Sequence, residues 1–210
     1  MPPQADSALR QLSVLANLLR PILGSHAEAS ADDLLARFGS ISAIMTVSRE
    51  ALYAALGGNG EVAEALLAAR KLASAGWREE IAGEVVDAAD PRLAQYLLCK
   101  LQNAHEERLH VIFMDSGGRY IRDERIAAGS HSKLSLRTRT IMRRAFELEA
   151  HKLILAHNHP SGRALASKED RLATARFEMV VRELELELVD HLIIGAGRAY
   201  SMRHNRLLAS

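Results

Sequence analysis

The chain has 210 residues, of which 48% are hydrophobic and 25% charged, the balance of an ordinary soluble protein and enough for two small domains or one large one. No apolar run approaches the ~18 residues of a membrane span, so no membrane partner is expected, and a net charge of +1 gives no whole-protein attraction to nucleic acid. The single cysteine, Cys99, excludes an intramolecular disulfide, and the start MPPQADSALRQ has neither a basic end nor an apolar signal core, so the expected home is a reducing cytoplasm.

Residues 7–85 read as helical, rich in alanine and leucine and punctuated by Gly and Ser. Ser30 is placed to cap a helix through Leu34, Leu35 and Phe38 that ends at Gly39. Ser48 is placed to cap the next, through Leu52 and Leu56, ending at Gly57-Gly58. A third runs from Glu61 through Leu66, Ala69 and Leu72 to near Gly76. Such short helices with brief connections predict a small bundle. A linker is expected near Gly83–Ala89, which divides the chain into a helical domain over 1–85 and a second domain over 86–210.

Asp90-Pro91 is a strong helix start, with Asp at the cap and Pro at the first position. Leu93, Ala94, Leu97, Leu98 and Leu101 line one face of that helix, and Cys99 falls in the same pattern as a buried, inert thiol. Leu109–Met114 reads as a strand, Asp115-Ser116-Gly117-Gly118 as a turn, and Tyr120–Ala127 as the returning strand. Residues 137–150 have helical spacing through Ile141, Ala145 and Leu148. The run Lys152–Ala156 is short and apolar, as in a buried, parallel strand. A helix opening at Ser167 places Leu172, Ala175, Met179 and Val180 on its apolar positions. Two further strands follow, Leu188–Ile194 and Ala199–Met202. This order predicts an α/β fold: a three-layer α/β/α mixed sheet with an N-terminal helical domain.

The chemistry is concentrated just past the apolar strand, in AHNHPSGRALASKED. His157 and His159 are two apart and point to one side of the chain. Pro160-Ser161-Gly162 break the strand into a loop, and the loop returns to Ser167 and Asp170 at a helix start. Ser-x-x-Asp by itself describes a helix capping box. Combined with His-x-His at the end of an apolar strand, it supplies two imidazoles and a carboxylate, a metal-ligand set that leaves a fourth position for water, as catalytic zinc sites do. His191 is expected as a core residue or as a partner of a ligand, since a fourth protein ligand would close the site. His105, His110, His131 and His204 have no ligand spacing, and His151 is expected at the surface.

The spacing resembles the JAMM motif of MPN-plus metalloproteases, and AHNHPSG together with VDHLIIG at 189–195 looks like the bacterial RadC family of JAMM-domain proteins, over roughly residues 90–210. The resemblance implies the cytidine deaminase-like architecture of JAMM domains and one Zn2+ per chain held by His157, His159 and Asp170. It implies Glu124, shortly before Gly129-Ser130, as general base, and Ser167 as hydrogen-bond donor to the oxyanion. The implied reaction is hydrolysis of a peptide or isopeptide bond in a peptide or protein substrate. The segment from Ala36 to Ala73 resembles the helix-hairpin-helix region that precedes the JAMM domain in RadC proteins. Its turn, Gly58-Asn59-Gly60, carries Asn59 where the motif has an apolar residue, and Glu61 and Glu64 lie close by, which favours packing or protein contact over DNA binding.

Two other functions compete with hydrolysis. One is a DNA-associated RadC-type protein whose metal site is structural or assists nicking. The other is a zinc-stabilised interaction domain without turnover. Deamination is a poor fit, because the chain lacks the Pro-Cys-x-x-Cys element of zinc deaminases. The substrate and the oligomeric state are not encoded in any motif.

Overall fold

The computed structural model describes residues 3–45, 47–101, 106–128, 134–195 and 197–208. Two compact units divide the chain, Met1–Ala73 and Ser74–Ser210. No helix among the described residues is long and apolar enough to cross a membrane.

The first unit is helical: α1 (Pro3–Leu23), a 3-10 turn (Gly24–His26), α2 (Ala27–Phe38), α3 (Ile41–Ile44), α4 (Arg49–Ala55) and the beginning of α5 (Gly60–Ile81). Its core gathers Leu15, Leu19, Ala31, Leu34, Ile44, Leu52, Val62 and Leu66. Local chemistry sets the helix ends. Ser48 Oγ accepts from Ala51 N–H at 3.1 Å, as expected. Gly39 closes α2 at φ 85°, with its N–H on Leu35 O at 2.7 Å. The Ser30 cap is corrected: α2 begins at Ala27 and Ser30 lies inside it. Asn59 Oδ1 accepts from Val62 N–H at 3.3 Å, so a start amide of α5 that a phosphate would meet already has a partner. α5 also runs through Gly76, the expected stop, to Ile81.

The second unit holds α6 (Pro91–Leu101), β1 (Arg108–Met114), β2 (Tyr120–Ala128), α7 (Leu134–Glu147), β3 (Lys152–Asn158), α8 (Lys168–Glu183), β4 (Glu187–Gly195), β5 (Arg198–Ser201) and the short β6 (Arg206–Leu207). The six strands form one mixed sheet in the order β2-β1-β3-β4-β5-β6. β3 and β4 are parallel and the other neighbours antiparallel. The parallel pair requires a crossover, and α8 supplies it.

Strand alternation sorts the side chains into two cores. Ile112, Met114, Ile154, Ala156, Leu192 and Ile194 pack with Leu93, Tyr96, Leu97 and Leu101 of α6. Leu109, Val111, Phe113, Leu153 and Leu155 pack on the other face with Ile141 and Ala145 of α7 and Phe177 and Val181 of α8. The result is the expected helix–sheet–helix layering. Asp90 caps α6 as predicted, its Oδ1 accepting from Arg92 N–H at 2.8 Å. Two expectations are corrected. Cys99 is half-buried. On α8 the buried stripe is Phe177 and Val181, while Leu172, Met179 and Val180 face outward.

Candidate metal centre

β3 delivers the first histidine. His157 lies opposite Leu109 of β1, on the sheet face covered by α7 and α8, and is 3% exposed. The chain then leaves the strand by a turn in which Gly162 N–H donates to His159 O at 2.9 Å, with Pro160 at the second position. His159 N–H donates to Ile194 O at 3.1 Å, which ties the turn to the end of β4. The loop passes over Gly195 so closely that a Cβ there would lie 2.5 Å from Gly162 O and 2.8 Å from Ala164 N. It then returns at Ser167, the cap of α8.

Ser167 and Asp170 form the capping box that their spacing predicts: Asp170 N–H donates to Ser167 Oγ at 3.0 Å, and Ser167 N–H to Asp170 Oδ2 at 2.8 Å. The same carboxylate faces the histidines. His159 Nε2 lies 3.2 Å from Asp170 Oδ2, and His157 Nε2 lies 3.3 Å from Oδ1. The two Nε2 atoms are 2.9 Å apart. One box therefore serves both as helix cap and as the third side of a cluster.

The donor chemistry fits a cation. His159 Nδ1 faces the backbone oxygen of Arg163 at 3.1 Å. A carbonyl only accepts, so Nδ1 carries the hydrogen and Nε2 presents its lone pair to the cluster. His157, His159 and Asp170 each offer a ligand atom, all within 4.8 Å of one another, and so could hold a metal ion. Electron-rich atoms this close need positive charge between them. The hydrogen bond with Asp170 raises the His159 pKa, with the fields of Asp170 and Glu107 acting in the same direction against burial. Burial alone would raise the Asp170 carboxyl, but its polar contacts with His157, His159 and Ser167 outweigh it and hold that group far below the ordinary carboxylate range.

Glu124 is not one of the three clustered groups. It lies opposite Val111, two rungs of the sheet away from the Leu109–His157 pair. Its carboxylate is held by Arg144 through Nε at 2.8 Å and through Nη2, with Arg122 nearby. The hydrogen bond from Arg144 lowers its pKa, which weakens it as a base. Ser167 does reach the cluster, but its hydroxyl hydrogen is directed to Asp170 Oδ2 at 2.6 Å.

A different carboxylate acts on the histidines: Glu107, two residues before the Leu109 that pairs with His157, raises the His159 pKa by its charge. Asn158, 1% exposed and lying between the two histidines, pins the chain on both sides of Glu107. Its Oδ1 accepts from Arg108 N–H at 2.9 Å and its Nδ2 donates to Glu106 O at 3.1 Å. The sequence has no local signal for Glu107, since fifty residues and a strand pairing separate it from the motif. His191, 4% exposed, lies against the cluster from behind, its Nε2 2.8 Å from His157 Nδ1. Burial, then the neighbouring His157, lowers the pKa of His191 well below the ordinary value.

Residues 88–207 match the family model of the RadC-like JAB domain. The chain belongs to the RadC family. UPF0758 proteins from two strains of Acidithiobacillus ferrooxidans are each 34% identical to it over 203 residues, covering 94% of this chain and 88% of theirs. A UPF0758 protein of Variovorax paradoxus is 30% identical over 204 residues, covering 96% of this chain and 91% of its own. JAB domains are often metal-dependent hydrolases. The family match extends across all six strands and the cluster of His157, His159 and Asp170.

Proposed function

We propose that this RadC-family chain is a zinc-dependent hydrolase of peptide or isopeptide bonds, with one Zn2+ held by His157, His159 and Asp170. The observation that carries the reading is the convergence of two imidazole nitrogens and a carboxylate, with the outer nitrogen of His159 bonded to a carbonyl. Two nitrogens and one oxygen suit zinc, and three protein ligands leave a position open. When bound there, zinc acidifies water and polarises a carbonyl.

The chain's own groups divide the remaining work. Glu107, whose charge reaches His159, takes the proton of the attacking water on a carboxylate oxygen and returns it to the leaving amine. The family resemblance implies Glu124 for that role, but its salt bridge with Arg144 suits it to holding β2 against α7. Ser167 orients Asp170, and donating to an oxyanion would require its hydroxyl to leave Asp170 Oδ2. The DNA-associated reading has less support. Asn59 occupies the helix start, Arg122 and Arg144 pair with Glu124, and Arg143 pairs with Glu147. Phosphate binding would need such cations free.

The test is metal content by mass spectrometry, followed by cleavage of a peptide and isopeptide library. About one zinc per chain is expected, lost in His159→Ala. Glu107→Gln should retain zinc and abolish cleavage, whereas Glu124→Gln should retain both. Loss of cleavage in Glu124→Gln alone would return the base role to Glu124. Absence of metal uptake would remove the hydrolase reading. Gel shifts across a salt series check DNA, and binding at low salt would revive the alternative.

A further inference from the structure

A hydrogen-bond chain runs behind the metal-ligand cluster. Thr174, one turn after Asp170 on α8, has its Oγ1 2.7 Å from the backbone oxygen of Asp170. The same Oγ1 lies 2.6 Å from His191 Nδ1. His191 Nε2 lies 2.8 Å from His157 Nδ1, and His157 Nε2 faces Asp170 Oδ1 at 3.3 Å.

With both rings neutral and the Thr174 hydroxyl bonded to the Asp170 carbonyl, the shorter of its two oxygen and sulfur contacts, the hydrogens in this chain take one arrangement. The carbonyl of Asp170 cannot donate, so the Thr174 hydroxyl gives it its single hydrogen. Oγ1 must then accept, so His191 carries its hydrogen on Nδ1. A neutral His191 has a lone pair on Nε2, so the hydrogen between the two rings belongs to His157 Nδ1. A neutral His157 then presents Nε2 to the cluster as a bare lone pair. The ring closes on itself, starting at the backbone of Asp170 and ending at its carboxylate.

The geometry points to Thr174 and His191 as positioning residues that fix the tautomer and orientation of His157, so that its Nε2 is the ligand atom. A histidine in this place acts as an acceptor, where a carboxylate or carbonyl usually stands behind a metal-bound imidazole. The arrangement depends on a shift in the pairing of β3 with β4 between Leu153 and Ile154. Leu188 packs in the core on the α8 side, and three residues later His191 faces that same side beside Leu155. Strict alternation would send residues three apart to opposite faces.

This inference rests on the metal reading for its affinity measurement but not for its first test. In metal-free, 15N-labelled protein, long-range imidazole spectra should show His157 and His191 each carrying hydrogen on Nδ1. A hydrogen on His157 Nε2 would overturn the proposal. In Thr174→Val the acceptor for His191 is removed with little change in shape. The zinc dissociation constant, from competition with a chromophoric chelator, should rise about ten- to a hundredfold. Thr174→Ser should restore it. Wild-type affinity in Thr174→Val, with unchanged imidazole spectra, would reduce the chain to packing. Should wild-type protein take up no zinc, the hydrolase reading fails, and the tautomers of the metal-free protein still decide this one. Should Thr174→Val not fold, the wild-type spectra and Thr174→Ser carry the test.

Discussion

Gly195 and Gly162 are in backbone contact: a Cβ on Gly195 would lie 2.5 Å from Gly162 O and 2.7 Å from Gly162 C. β4 thereby supports the turn that sends His159 back to the cluster. Gly195→Ala must push that turn away, at a cost of about 1–3 kcal/mol as overpacking, and should weaken metal binding with it. Gly76→Ala is the control. Gly76 lies inside α5 with nothing within 4 Å of its missing Cβ, so alanine there should stabilise by about 0.5–1 kcal/mol. Thermal melts and zinc titrations of the two variants check both statements.

Protons and metal compete for the same atoms, and the pH dependence follows. The His159 pKa is raised above its ordinary 6.5, so its contribution to metal-free stability is full below that value and fades as pH rises through the folded value. The Asp170 pKa is depressed below 3.8, so its contribution is present above that value and is lost as pH falls toward the folded one. His191 acts the other way, since its lowered pKa costs stability as pH falls below 6.5. The His159 contribution is therefore read as the difference in melting temperature between metal-free wild type and His159→Ala, which should be larger near pH 5.5 than near pH 8. Zinc displaces the His159 proton, so the rise in melting temperature on adding zinc should be larger at pH 8 than at pH 5.5. An equal rise at both would separate His159 from the metal.

Asn158 separates positioning from ligation. Asn158→Ala leaves the Arg108 N–H and the Glu106 carbonyl without their side-chain partner, a loss of about 1–3 kcal/mol where such groups are buried. Both histidines remain, so zinc affinity should change little while turnover falls with the loss of Glu107 placement. Unchanged turnover with a lowered melting temperature would confine Asn158 to stability.

The opposite face of the sheet carries a buried polar knot that no motif announced. Asp123 accepts from His110 and from Tyr120 OH, and Arg78 Nε stands 3.6 Å from the Asp123 carboxylate. Burial alone would raise that carboxyl, and the hydrogen bonds from His110 and Tyr120 hold it far below its ordinary range. Asp123→Asn breaks a buried pair and should cost about 3 kcal/mol without altering zinc affinity, which chemical denaturation and titration would show.

The legible parts of this chain were those written in short spacings. Ser48, Asp90-Pro91 and the Ser167–Asp170 box act locally, and each forms as its spacing predicts. The histidine pair follows from strand alternation over three residues. The outward face of α8 is misleading because its inward stripe carries the half-buried polar Asp170 and Thr174 along with buried Phe177 and Val181, so counting apolar residues selects Leu172, Met179 and Val180 instead. Glu107 and His191 depend on strand register, one through the pairing of β1 with β3 and the other through an irregularity in the pairing of β3 with β4. Neither relation leaves a mark in the nearby sequence.

Asp170 holds the start of α8 whether or not an ion is present. A descendant that abandoned metal chemistry would still need its helix begun, and selection would keep Ser-x-x-Asp in place while the histidines drifted. Among relatives, then, the acid is a poor witness to lost activity. The pair at 157 and 159, which no cap requires, is the place to read whether the chemistry survives.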